Sequence, residues 1–151
     1  MTSLRGVALC VLGLAGAGCA IADPRPVAIF PSGAEFRLEI AADRESQRRG
    51  YMFREHVPPD EGMLFVYGES GRRPFWMKNC RVALDIIWLD ESSSVVEIGH
   101  SLPPCTEAGP CPNYEPLRLA RNVLEVAAGT ARREGLRIGD TVQVVPEPSA
   151  P

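Results

Sequence analysis

Leu84-Asp85-Ile86-Ile87-Trp88-Leu89-Asp90-Glu91-Ser92-Ser93-Ser94-Val95-Val96-Glu97-Ile98 joins two apolar, β-branched runs through a short polar turn. That composition is the pattern of a strand hairpin. Asp85 is the odd residue, a carboxylate inside an otherwise apolar strand. Upstream, Ala34, Phe36, Leu38 and Ile40 alternate with Glu35, Arg37 and Glu39, as a half-buried strand requires. Asp43 is placed to cap a short helix through Arg49, which Gly50 ends. Three short apolar clusters follow, Tyr51–Phe53, Met63–Tyr67 and Phe75–Met77, each bounded by turn residues like a strand. Downstream, Asn122–Val126 reads as a strand, and Thr130 caps a single helical turn that stops at Gly135. After the turn at Gly139-Asp140, the alternating Thr141–Val144 closes the chain. Many short strands without a long amphipathic helix predict a mainly β fold, a compact antiparallel β-sandwich or barrel-like domain with one or two short helices. No internal repeat is visible.

The first residues predict export. Arg5 precedes an uncharged run from Val7 to Ala17, the layout of a signal peptide over residues 1–22, and the run is too short for the ~20 apolar residues that span a bilayer. Two cleavage sites compete. Gly16-Ala17-Gly18-Cys19 resembles a lipobox, which would lipidate Cys19, whereas Ala20-Ile21-Ala22 before Asp23 suits ordinary signal peptidase. Residues 23–33 read as a linker or a first short strand, 34–145 as a single β-rich domain and the Pro-rich 146–151 as a disordered tail. Loss of Arg5 takes the net charge from −3 to −4. Such a balance offers no electrostatic footprint for nucleic acid or anionic lipid, so the expected membrane contact is through a lipid anchor alone.

An oxidising destination gives the cysteines a meaning. Cys105 and Cys111 flank a Pro- and Gly-containing loop that can turn back on itself and are the natural pair. Closing it contributes roughly 2 kcal/mol by chain entropy. Cys80 is left without a partner, and the default for it is an inert buried thiol.

No hydrolase, zinc-protease, Walker or dinucleotide signature is present, so no catalytic residue and no cofactor is assigned. His56 and His100 stand beside prolines or a turn and read as solvated. Phe75-Trp76-Met77-Lys78-Asn79, with Leu84-Asp85 close behind, is the densest polar and aromatic stretch. It has the ingredients of a small-ligand pocket; the plainer reading has Trp76 and Met77 in the core and Lys78 paired with Asp85. Glu125 lies within Val123-Leu124-Glu125-Val126 and either faces solvent or, if inward, needs an arginine partner. Met52, Met63 and Met77 offer three thioethers to copper(I), against the simpler role of filling core.

Arg48-x-Gly50-Tyr51-Met52-Phe53-Arg54, Gly62-Met63-Leu64-Phe65, Phe75–Asn79, Leu84–Ile87, Val123–Val126 with Gly129, and Gly139-Asp140 together resemble the bacterial and archaeal family called domain of unknown function 192. The resemblance runs from about Phe36 to Val145. It implies a compact, mainly antiparallel β domain with no established activity. Its polar motif positions are Arg48, Arg54, Lys78, Asn79, Asp85 and Glu125, with Trp76 the nearby aromatic. Tyr51 departs from a common leucine and Cys80 from a common threonine, which removes a hydroxyl from the end of that block.

The resulting expectation is an exported, non-catalytic binding or accessory module of the cell envelope, in the periplasm or lipid-anchored, otherwise secreted. It would recognise a small molecule, glycan or protein partner through the face of Arg54, Trp76, Lys78 and Asp85. The alternatives are an envelope hydrolase using Asp85 or Glu125 as acid or base, and copper handling through Met52, Met63 and Met77.

Overall fold

The structure, a computed structural model, describes residues 25–106 and 110–146. Residues 1–24, which include the expected signal peptide and Cys19, and residues 147–151 of the expected tail lie outside the described residues. The chain runs β1 (Val27–Ile29), β2 (Glu35–Ala41), α1 (Arg44–Arg49), β3 (Glu61–Gly71), β4 (Phe75–Trp76), β5 (Leu84–Leu89), β6 (Val95–Leu102), β7 (Asn113–Tyr114), β8 (Ala120–Ala127), α2 (Thr130–Arg133) and β9 (Gln143–Val145). The fold is mainly β, a curled half-barrel sheet with two short helices.

Seven strands form the main sheet in the order β6-β5-β8-β3-β2-β1-β9, and β4 pairs with β7 in a separate ribbon. Each neighbouring pair is antiparallel except β2 with β3. Parallel pairing needs a crossover, and α1 with the turns after it supplies one. The cluster Tyr51–Phe53, expected as a strand, is therefore a turn within this crossover. Tyr51 is buried there, while Phe53 sits at φ +66° with its ring exposed.

The predicted hairpin is the pair β5–β6. β5 is buried at every position, because both faces of the sheet are covered. Leu84, Ile86 and Trp88 pack with Met63, Phe65, Phe75 and Met77 on one face. Ile87 and Leu89 pack with Leu38, Leu64, Leu124 and Val126 on the other. The period of two along β5 thus assigns alternate residues to two cores. Register places Glu125 between Met63 and Ile86 on the first face, and pairs Asp85 with Val126 on the second.

Candidate functional site

The site is built where α1 meets the β4 ribbon. Asp43 caps α1, accepting from the Glu45 and Ser46 N–H groups at 2.9 and 3.0 Å, while the Ser46 hydroxyl closes a capping box. Gly50 ends the helix at φ +45°, ψ −133°, a conformation that favours glycine. Arg48 and Arg49 consequently stand in the last turn, facing the opposite wall across an open cavity of about 380 Å³.

That wall follows strand alternation: Phe75 and Met77 point into the core and Trp76 and Lys78 point out. Its backing is the cysteine loop. The Cys105 N–H donates to the Met77 carbonyl at 3.1 Å and the Asn79 N–H donates to the Cys105 carbonyl at 2.8 Å. Cys105 is bonded to Cys111, as the loop chemistry predicted. Lys78 lies 5.2 Å from the centre of the Trp76 ring, a cation–π arrangement, and has no carboxylate partner among the described residues. Arg48 likewise has no ion pair there, whereas Arg49 is tied to Glu45 at 2.6 Å.

Below the open cavity, and sharing Arg48, Met52, Trp76 and Lys78 with it, lies a slot of only about 30 Å³. Glu125, Tyr51 and Cys80 line it together with Phe65 and Phe75. Glu125 is 4 % exposed and Tyr51 1 %. Neither the Glu125 Oε2 nor the Tyr51 hydroxyl has a hydrogen-bond partner among the described residues. Burial pushes the Glu125 carboxyl up to about 8, against a smaller opposing pull from Arg54, because an unpaired carboxylate is costly in a dry site. Burial, reinforced by the Glu125 charge, pushes the Cys80 thiol up to about 12. The Tyr51 hydroxyl is also raised, by burial first and then by Glu39 and Glu125.

Of the residues singled out in the sequence, the structure brings Arg48, Trp76, Lys78, Asn79 and Glu125 to this cleft. Arg54 is adjacent but engaged, its guanidinium bound to both Glu39 oxygens, the Nη2–Oε2 contact at 2.6 Å, and 4.8 Å from the Tyr51 ring centre. The arginine anticipated for an inward Glu125 is thus paired elsewhere.

Asp85 is not at the cleft. Its carboxylate, fully buried, accepts N–H bonds from Ser101 at 2.7 Å, Gly129 at 3.0 Å and Ala131 at 2.8 Å. It therefore caps α2 from a neighbouring strand. Gly129 occupies the N-cap position, where Thr130 was expected, and offers no side chain. The pairing of Lys78 with Asp85 does not occur. Asp85 and Glu125 project from opposite faces of the sheet, so no substrate can lie between them. The methionines divide: Met63 and Met77 are core, and Met52 lines the cleft. No cluster of three or more His, Cys, Asp or Glu suited to a metal occurs among the described residues.

Gly50, Tyr51 and Cys80 were not picked out as parts of a site. Tyr51 and Cys80 carried a signal, being the two departures from the family pattern.

The family model described as "Uncharacterized ACR, COG1430", domain of unknown function 192, matches residues 27–144. Two solved structures are similar at a TM-score of 0.70 and 31% identity. One is from Sinorhizobium meliloti 1021, described there as a proposed transcription regulator; the match covers 80% of this chain and 92% of that one. The other is a protein of unknown function from Novosphingobium aromaticivorans, covering 79% and 83%. No curated protein matches.

Proposed function

The chain belongs to the domain of unknown function 192 family, and from that premise we propose that it is an extracytoplasmic, non-catalytic binding module that takes a small polar molecule into the cleft between α1 and Trp76. One observation carries this reading. A nine-tenths-buried carboxyl, Glu125, ends in an oxygen without a partner among the described residues and lines the slot that adjoins the open cleft. An unsatisfied buried polar atom is destabilising by about 1–3 kcal/mol, and natural folds retain such atoms where something else meets them. The cleft has the size range of a ligand site, roughly 300–1,000 Å³, with few polar groups and an aromatic wall. The export expectation is supported by the Cys105–Cys111 disulfide and by the leader pattern. Among the described residues no helix is long and apolar enough to cross a membrane.

Binding fits the cleft better than hydrolysis. Glu45, the other carboxylate at its wall, is held by Arg49, and Asp85 is on the far face. A net charge of −3 weighs against DNA as the partner. The test is a calorimetric binding screen of small envelope components against the wild type, Trp76→Ala and Arg48→Ala. Hits that weaken in both variants support the reading. Hits that bind all three proteins equally place the site elsewhere.

A further inference from the structure

The cleft has two compartments of different size and chemistry, and together they specify a class of ligand. The outer one, about 380 Å³, has room for a six-membered ring with its substituents. The inner one, about 30 Å³, holds one group the size of a water molecule, whose share of liquid volume is roughly 30 Å³. The inner compartment is lined by Glu125 and Tyr51, whose Oε2 and hydroxyl are covered and lack partners among the described residues. A hydroxyl suits this pair, since it donates one hydrogen bond and accepts others, whereas a methyl would leave both polar atoms unsatisfied. A carboxylate or phosphate is too large for the slot, and its charge would be costly to bury there.

The outer compartment is complementary in the opposite sense. Arg48 and Lys78 stand at its walls without carboxylate partners among the described residues. Trp76, 43 % exposed, offers an indole face beside the lysine. The C–H edge of a pyranose carries the partial positive charge that the face of an aromatic ring attracts. An anionic substituent on the same ring lies within the field of the two cations.

We propose that the cleft binds an anionic monosaccharide unit, one hydroxyl seated between Glu125 and Tyr51, the ring against Trp76, and its carboxylate or phosphate at Arg48 and Lys78. This rests on the cleft being the ligand site, as proposed above. It adds the orientation, hydroxyl inward and charge outward, and the requirement for both groups on one ring.

The test is isothermal titration calorimetry of the full chain with D-glucuronate, D-glucose 6-phosphate, D-glucose and benzoate, the last being an anionic ring without hydroxyls. An equal set of titrations uses Arg48→Ala, Lys78→Ala, Glu125→Gln and Glu125→Leu, each checked for folding by circular dichroism. The expected result is saturable binding of at least one anionic sugar, about tenfold or more tighter than glucose or benzoate. Arg48→Ala and Lys78→Ala each lose about tenfold, as for a charge-assisted hydrogen bond. Glu125→Leu loses binding and Glu125→Gln, which still offers a donor and an acceptor, retains it. Glucuronate or glucose 6-phosphate alone binding tells carboxylate from phosphate, and either supports the proposal. Glucose binding as tightly as the anions overturns the charge requirement, and benzoate binding as tightly overturns the inward hydroxyl. If none of the four binds, the sugar class is overturned. The broader reading then stands if another small molecule shifts the Trp76 indole resonance, and falls with it if none in a fragment library does.

Discussion

Gly50 stands directly over Glu125. A Cβ built on Gly50 would lie 3.4 Å from the Glu125 Oε2 and 3.2 Å from the Phe65 ring. The helix that supplies Arg48 therefore ends on a residue whose missing side chain leaves the slot above the carboxyl open. Positive φ and close approach make the same demand at one position.

Gly50→Ala is expected to destabilise the fold by about 1–3 kcal/mol, the range for a side chain held in a glycine region of backbone space. Gly50→Val adds a clash with Phe65 and exceeds it. Urea unfolding curves measure both. A change under about 0.5 kcal/mol for the alanine would show that the turn relaxes without strain.

The Glu125 carboxyl imposes a pH dependence whose sign is fixed by its environment. Its folded value, about 8, lies above the ordinary 4.5, so between these limits the native state holds a proton that the unfolded chain has lost. The contribution is fully present below about 4.5, declines as pH rises and is gone above about 8. Its slope is at most about 1.4 kcal/mol per pH unit. Against Glu125→Gln, which does not titrate, the wild type should lose ground steadily across this window. Parallel stability profiles for the two proteins would contradict it.

Asp85→Ala should be the more damaging carboxylate substitution for folding, since it strips three backbone N–H groups of their acceptor. A loss of about 3 kcal/mol or more is expected from buried groups left unsatisfied. Asp85→Asn, keeping one oxygen, should lose less. Chemical denaturation orders the three proteins.

The buried Cys80 thiol, pushed up to about 12, should resist alkylation by iodoacetamide at pH 8 and react once the chain is unfolded, because the thiolate is the nucleophile. Peptide mass mapping assigns the label. Rapid modification of native Cys80 would mean that the slot opens to reagent.

Reducing Cys105–Cys111 should cost about 2 kcal/mol of stability. It should also raise amide exchange at Asn79, whose N–H is held by the Cys105 carbonyl. Mass-detected hydrogen exchange with and without a dithiol reports both regions. Unchanged exchange at Asn79 would separate the disulfide from the cleft wall.

Much of this fold was legible in short-range pattern. The β5–β6 hairpin followed from two apolar runs around a polar turn, and α1 from Asp43 and Gly50 at its ends. The parallel β2–β3 pairing was not legible, since strand alternation carries no direction. That pairing is also why Tyr51–Phe53, apolar like a strand, is instead a turn inside a crossover. At the site, Glu125 stood out because a carboxylate interrupts an apolar run, and Trp76 and Lys78 because they fall in the densest polar and aromatic stretch, although Trp76 also read as core. Asp85 stood out for the same reason as Glu125 and caps a helix. Only register distinguishes them, by putting Glu125 and Asp85 on opposite faces of one sheet.

The most direct test of the cleft as a ligand site is a fragment titration followed by nuclear magnetic resonance at the Trp76 indole N–H and the Glu125 side-chain carbon. Compounds that bind should move both signals together and saturably, and Glu125→Leu should abolish the effect at Trp76. Compounds that bind the protein while leaving both signals unmoved would contradict the account.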